Sequence, residues 1–563
     1  MNLIQFPRKS SALTLALSAL LVGDLHALTL QEATGLALKN SPQIMTEGIN
    51  VKLKGADKDI AYQFFDPKLT SSLMANKLGG FDYPPEIERV ALASTTGASP
   101  VVAFLPDNYR QDDLSISLTK MFLSGIYTEL TLTETQKSSE HDKLSASPLL
   151  NALNNGGMHV TMSNYFPYTY GVLKFITRIP LWGRGDLAQG IGDYKSKELL
   201  HAAAIDNLNY AISSILASAV YAYWDNRAAA ANYELRKKSF ERITAWMGRI
   251  NYVIDHQSNP SGVRAQNAAY LSRFDAFLQE KQKDLKTAET MLQTSRSNLA
   301  NAIGIPLQKA TEIGDATDPI PTVANAEAIN VKAWSDDALS RRFDIKALHT
   351  QVQAADELLQ GMEDYAKPEL NLIMALHQQM ATFGKNGEPG FADAVENFSG
   401  NLGYTVGLQF NMKLGGNTAA KGRITQATLN KMKAQIDLNN GLRKLGVDLK
   451  GLADRIASTA ATVKSAGESA TTYAKSVEAA VSDKRQTLDN AYRQFDTERY
   501  WTNAEADHII AQASLAKLVI EARHQSGTLV NPAVGENQIT LQNMTTLPGS
   551  AEEAAAKQHP PKK

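Results

Sequence analysis

The sequence predicts a mainly helical chain that also carries membrane β-strands, organised as two internal repeats. Three observations lead there. Proline is absent from Leu181 to Asn259, from Ser261 to Ile305 and from Gly390 to Asn531. Proline costs about 3 kcal/mol inside a helix, so these gaps permit very long helices. Two short stretches of alternating apolar and polar residues lead directly into helical sequence. Segments of the first half also recur, in order, in the second.

The elements can be justified from the N-terminus onward. Arg8 and Lys9 precede an apolar run, Ala12 to Gly23, and "LHA" ends at Ala27. This is the three-part pattern of a secretory signal, so residues 1–27 are expected to be removed on export. The first repeat then occupies 28–305. It reads helix, strand ("DPKLTSSLMAN" from Asp66), a long insertion at 79–165, a second strand and a long helical hairpin. Inside the insertion, "DLSISLTKMFLSGIYTELTLTET" from Asp113 reads as a β-hairpin turning at Ser124-Gly125. The segment after Asp193 is rich in Ala, Leu, Lys and Glu. A helix of about 70 residues there would be about 105 Å long. No globular core is that deep, so such helices must pack on one another as coiled coils. A Pro-, Thr- and Asp-bearing linker is expected at 306–330, the second repeat at 331–530 and a disordered tail at 531–563.

The alternating stretches explain what the strands face. From Tyr404, "YTVGLQFNMKL" puts Tyr404, Val406, Leu408, Phe410, Met412 and Leu414 on one side of a strand. From Lys174, "KFITRIPLWGRGD" sets Phe175, Ile179 and Leu181 against Lys174 and Arg178. A soluble, half-covered sheet would alternate in the same way. The export signal and the absence of any other long apolar span favour a membrane barrel, because lipid satisfies no open backbone groups. Lys174, Arg178, Gln409, Asn411 and Lys413 are then the candidates to line a lumen. One chain supplies roughly four to six strands, below the eight or so that close the smallest barrels, so copies must share one barrel.

Composition narrows the classes further. The chain has 57 basic and 58 acidic residues, without the surplus of a nucleic-acid binder. It has no cysteine, so neither a disulfide framework nor a cysteine-linked lipid anchor is available. "GRGDLA" from Gly183 formally fits a dinucleotide fingerprint. It follows a strand that carries Lys174 and Arg178, unlike a buried Rossmann strand, so its glycines are read as a strand-to-helix turn. His201, His256 and His508 stand apart without metal-ligand spacing. No catalytic cluster, cofactor site or metal site is read.

Together these residues resemble the TolC-type outer membrane efflux proteins. "LTLQEATGLALKNSPQI" from Leu28 is similar to the family's mature start. "RRFDIKALHTQVQAADELL" is similar to its second-repeat start, with Phe343 where proline often stands. "IPLWGRGD" and "MKLGGNTAAK" are similar to its strand-to-helix junctions. "AETMLQTSRSNLANAIGIP" and "AEADHIIAQASLAKLVIEARHQSGTL" are similar to the ends of its two helical hairpins. The resemblance runs over about residues 28–529. It implies a homotrimer in the outer membrane of a Gram-negative-type cell, with one shared β-barrel continued by a helical tunnel across the periplasm. It further implies docking to a periplasmic adaptor and an inner-membrane transporter, for efflux of drugs or type I secretion of proteins. The periplasmic tips are expected at "HQSNPSGVRAQ", broken by Pro260 and Gly262, and near Asp496 to Glu505. Asp496, Glu498 and Glu505 are candidates to ring the closed entrance, although Glu498 stands where a glycine is expected. A soluble periplasmic coiled-coil adaptor or scaffold is the alternative reading. It accounts for the signal and the helices but not for the alternation before each long helix.

Overall fold

A computed structural model describes residues 28–78, 92–94, 109–139, 158–160, 168–256, 258–306, 314–323, 329–383, 402–412, 417–482, 488–530 and 547–548. The signal segment at 1–27, much of the 79–165 insertion and most of the tail lie outside them. The chain divides into two units. One is helical and draws on Met1–Leu53, His201–Gln351 and Gln435–Lys563; the other, Lys54–Leu200 and Val352–Ala434, contains the strands.

The two repeats begin alike. In the first, α1 (Leu30–Asn40) is followed after Ser41 by α2 (Pro42–Tyr62). Thr29 caps α1, and Glu32 returns a bond to the Thr29 backbone, which closes a capping box. In the second, α6 (Val331–Arg341) is followed after Arg342 by α7 (Phe343–Ala366). Ser41 and Arg342 have nearly the same extended backbone, with φ −64° and −71°. Pro42 opens α2 where its missing N–H is not needed, and Phe343 occupies the equivalent first helical position of α7.

Between these starts lies the first hairpin. It comprises α3 (Asp186–Asp255), the short α4 (Pro260–Gln266) and α5 (Ala268–Ala302). The second consists of α8 (Thr418–Ser482) and α9 (Leu488–Gln525). Among the described residues of the helical unit, buried side chains form three cores. Tyr223, Trp224, Leu216 and Val220 of α3 meet Leu30 and Ala33 of α1 and Ile520 of α9. Trp334 and Ile345 meet Leu445, Leu449 and Leu452 of α8 and Val519 of α9. Ile243, Trp246, Phe274 and Phe277 of the first hairpin enclose Phe495 of α9. Fully burying a side chain the size of Phe495 contributes about 1.5–3 kcal/mol.

The linker and part of the tail are tied down. Within the linker, Asp315 makes a two-pronged ion pair with Arg296, and Asp318 accepts hydrogen bonds from Tyr223 and the Leu30 amide. In the tail, Leu547 is buried beside Trp334, and the Trp334 indole N–H donates to the Pro548 carbonyl at 2.6 Å. The expectation of disorder throughout 531–563 is therefore wrong for these two residues. A buried indole needs an acceptor, and this segment supplies one.

The other unit carries a six-stranded antiparallel sheet in the order β1-β3-β4-β6-β7-β8. Its strands are β1 (Lys68–Leu78), β3 (Tyr109–Met121), β4 (Tyr127–Ser139), β6 (Tyr168–Trp182), β7 (Glu369–Phe383) and β8 (Leu402–Asn411). β2 (Leu92–Ser94) and β5 (Met158–Val160) form a separate two-stranded ribbon. The hairpin expected inside the insertion is present as β3 and β4, turning through Gly125 at φ +88°. β6 turns into α3 through Gly183 and Gly185, both with positive φ. A Cβ at Gly183 would run into the Pro368 carbonyl. The glycines of "GRGDLA" thus serve a turn that a side chain would obstruct. No helix among the described residues is long and apolar enough to cross a membrane.

Candidate functional site

The sheet sorts its residues by face. Register carries one row across all six strands: Leu69, Leu118, Leu130, Phe175, Leu376 and Tyr404. All six are large or apolar and all are exposed, Tyr404 at 78%. Val406, Leu408 and Phe410 continue this side along β8, again exposed. An oily face this extensive is what a bilayer covers and water does not.

The same register places Lys174, Arg178, Gln409 and Asn411 on the opposite face. Lys174 lies across from Thr131 and His377, Gln409 from Asn371, and Asn411 from Glu369. Lys174 and Arg178 are exposed; Arg178 stacks over the Tyr127 ring at 5.5 Å. The amide oxygen of Gln409 is buried without a hydrogen-bond partner among the described residues, and Asn411 donates to Glu369 at 3.5 Å. Lys413 lies outside the described residues.

Sequence reading missed the acidic half of this face. Glu129 accepts hydrogen bonds from Thr131 (2.8 Å), Tyr127 (2.9 Å) and Ser117 (3.3 Å). Asp113 accepts from Thr135 and Gln111. Alternation within "SISLT" and "TELTLTET" carried the signal. Their polar positions share a side with Lys174 once the register is known.

The tips are partly as expected. α3 ends at Asp255 and Pro260 opens α4, with the Asn259 side chain capping through the Gly262 amide at 3.0 Å. A Cβ at Gly262 would strike the Asn259 side chain, so the glycine permits the cap. The second tip is not at Asp496 to Glu505. That stretch is continuous helix inside α9; among the described residues, α8 ends at Ser482 and α9 begins at Leu488. Phe495, fully buried among aromatic rings of the first hairpin, holds the segment helical.

The three acids separate accordingly. Asp496 and Glu505 are half-buried. Glu498 is 0% exposed. Arg242 of α3 donates to its carboxylate from two nitrogens, at 2.6 and 3.1 Å, and Thr502 adds a third bond at 3.3 Å. Glu498 therefore ties α9 to α3 and does not face an open ring. One turn along, Ser239 meets Thr502 at 3.1 Å, and Arg236 reaches Asn503 and Asp284. Lys281 of α5 completes the cluster, 1% exposed and 3.7 Å from Asp284. Burial holds its ammonium below the usual lysine range; Asp284 opposes that shift and Arg236 adds to it.

Residues 334–519 match the model of the outer membrane efflux protein family. The fold is that of several outer-membrane channels. The outer-membrane channel OprN aligns with a TM-score of 0.55 at 15% identity, over 89% of this chain and 90% of that one. The CmeC outer membrane channel of Campylobacter jejuni gives 0.52 at 14%, over 91% and 90%. The open state of the MtrE outer membrane channel of Neisseria gonorrhoeae gives 0.53 at 13%, over 89% of both. No curated protein sequence matches significantly. The second repeat thus carries the outer membrane efflux protein domain, and the fold of the outer-membrane channels runs along most of the chain.

Proposed function

We propose that three copies of the chain form a passive duct in the outer membrane. It serves as the exit of a tripartite efflux or type I secretion system for drugs, small molecules or proteins. The observation that carries this reading is the two-faced sheet. Its apolar side suits lipid, its polar side suits water, and β1 and β8 have no strand partner on their outer edges among the described residues. An open edge in lipid leaves backbone groups unsatisfied, so neighbouring copies must supply the missing partners. Exposed apolar stripes on α2 (Met45, Ile49, Leu53) and α8 (Leu429, Met432, Ile436) suit seams between copies.

In this reading residues 1–27 direct export. Lys174, Arg178, Gln409, Asn411 and Lys413 line the lumen. The helical tips, including Pro260 and Gly262, meet a periplasmic adaptor and an inner-membrane transporter, and the duct holds no cofactor or metal. Asp496 and Glu505 remain candidates for an acidic constriction; Glu498, paired with Arg242, does not. The test is fractionation followed by planar-bilayer recording. The chain should resist a high-salt wash of outer membranes, extract with detergent as a trimer and form channels. Release by salt as a channel-inactive monomer would favour the scaffold reading instead. If Asp496→Ala combined with Glu505→Ala leaves cation selectivity unchanged, the constriction lies elsewhere.

A further inference from the structure

The β3–β4 hairpin raises a question of placement: is it a loop outside the membrane or part of the barrel wall? We infer that it is wall, and that each copy contributes six strands, giving eighteen from three copies. The count of eighteen rests on the trimer proposed above; the placement of the hairpin does not.

Four observations carry this. First, β1 pairs with β3 through eleven consecutive residues and β6 with β4 through eleven, without a register shift in either ladder. The hairpin thus separates β1 from β6 completely. Second, β3 and β4 have 13 residues each, enough to cross a bilayer, which takes about 9–11 tilted residues. Third, the apolar row continues through Leu118 and Leu130, while Ser117, Glu129 and Thr131 continue the polar side. A hairpin wholly in water would have no reason to keep an oily side in register with its neighbours. Fourth, the β3–β4 turn lies at the end of the sheet where β1 starts and β6 leaves for α3. A Cβ on Gly125 would lie 3.1 Å from Pro180 and 3.2 Å from Arg184, at the strand-to-helix junction. Short turns at one end and long connections at the other are the normal plan of a membrane barrel.

Strand direction supports closure between copies. The sheet is antiparallel throughout, so with six strands its edges β1 and β8 run in opposite senses. β8 of one copy therefore meets β1 of the next antiparallel, as at every other junction. An odd number would force a parallel seam at each copy boundary. A hairpin is the smallest insertion that keeps the number even. The consequence is bore. At a strand spacing of about 4.8 Å and a tilt of about 40°, eighteen strands enclose a backbone radius of about 18 Å, against about 12 Å for twelve. The added wall is lined by hydroxyls and by Glu129 and Asp113. The membrane segment is thus a wide hydrated exit, and selection by size must occur elsewhere in the duct.

The chain lacks cysteine, so thiol crosslinking in native outer membranes tests the placement directly. Three double variants of the full chain are needed: Thr70→Cys with Ser117→Cys, Thr131→Cys with Lys174→Cys, and Thr70→Cys with Lys174→Cys. The first two pairs are direct cross-strand neighbours. The third spans three strand spacings, about 14 Å. A short bifunctional thiol reagent should link the first two within a chain and leave the third unlinked. Linking of the third pair, with the first two unlinked, would put the hairpin outside the wall and overturn the inference, even if the protein is a trimer. A monomer showing the first two links would instead sink the trimer proposal and the count of eighteen, leaving the hairpin's placement intact.

Discussion

Removing Arg242 should loosen α9 far more than its position on an elongated helix suggests. The Glu498 carboxylate is completely buried, takes two bonds from Arg242 and has one oxygen without a hydrogen-bond partner among the described residues. Arg242→Ala would leave a buried charge with the Thr502 hydroxyl as its hydrogen-bond donor among the described residues and Lys281 as a nearby cation. Breaking a fully buried pair from one side costs about 3–5 kcal/mol, whereas an exposed pair is worth about 0–1. The Arg242 side chain is 34% exposed, so water can partly replace it, and about 2–3 kcal/mol is the working figure. Hydrogen exchange of the detergent-solubilised full-length protein reads this locally. Amides of α9 around Glu498 should exchange about 30- to 150-fold faster in Arg242→Ala. Glu498→Gln removes the charge but keeps the shape, and should cost about 1 kcal/mol. The double variant should then cost less than the two singles combined, because no charge is left behind. If α9 exchanges at the wild-type rate in Arg242→Ala, or if the singles simply add, the pair is not what holds these helices together.

Three more outcomes follow from the helical unit. Lys281→Met should leave the protein equally or more stable at pH 7, because burial disfavours the charged amine; as pH rises towards about 10.4 the unfolded chain keeps its proton longer than the folded one. Wild-type stability should therefore climb towards that of the variant, as melts at pH 7 and pH 10 would show. His524 accepts or donates at 2.7 Å with Ser213, and burial, with Arg342 nearby, pushes its pKa down to about 4. The folded form resists protonation while the unfolded form takes it, so stability should fall by about 3 kcal/mol as pH drops from about 6.5 to 4, and His524→Gln should flatten that slope in acid melts. Trp334→Phe deletes the bond to the Pro548 carbonyl at a cost of about 1 kcal/mol, and carboxypeptidase should then trim past Leu547 faster than in the wild type.

What the sequence disclosed, and what it withheld, follows from the range of each interaction. Alternation is local: each strand residue declares its face through its two neighbours. Tyr404 through Phe410 and Lys174 with Arg178 can therefore be sorted by face from the sequence alone, and the register of the sheet joins them on consistent sides. The proline gaps are local too, and α3, α5, α8 and α9 fall inside them. The repeat makes Phe343 legible as the first residue of a helix by its likeness to Pro42.

The misplaced second tip shows where local information ends. "FDTERYWTNAE" is polar and crowded with charge, which suggests a solvated turn. Its helical state depends on Phe495 entering an aromatic core and on Glu498 meeting Arg242, 256 residues away in sequence. A buried ion pair looks, from either residue alone, like two exposed charges. The described part of α8 ends at Ser482 and α9 begins at Leu488, and the sequence between them, "DKRQT", contains neither glycine nor proline to announce a turn. The first tip was legible because Pro260 and the Asn259 cap act over three residues. The second had to be inferred from partners in another helix, and a single sequence does not name them. The acids of the polar sheet face failed to appear for the same reason. Glu129 belongs with Lys174 only because β4 pairs with β6, and that pairing rests on which strand the inserted hairpin displaces.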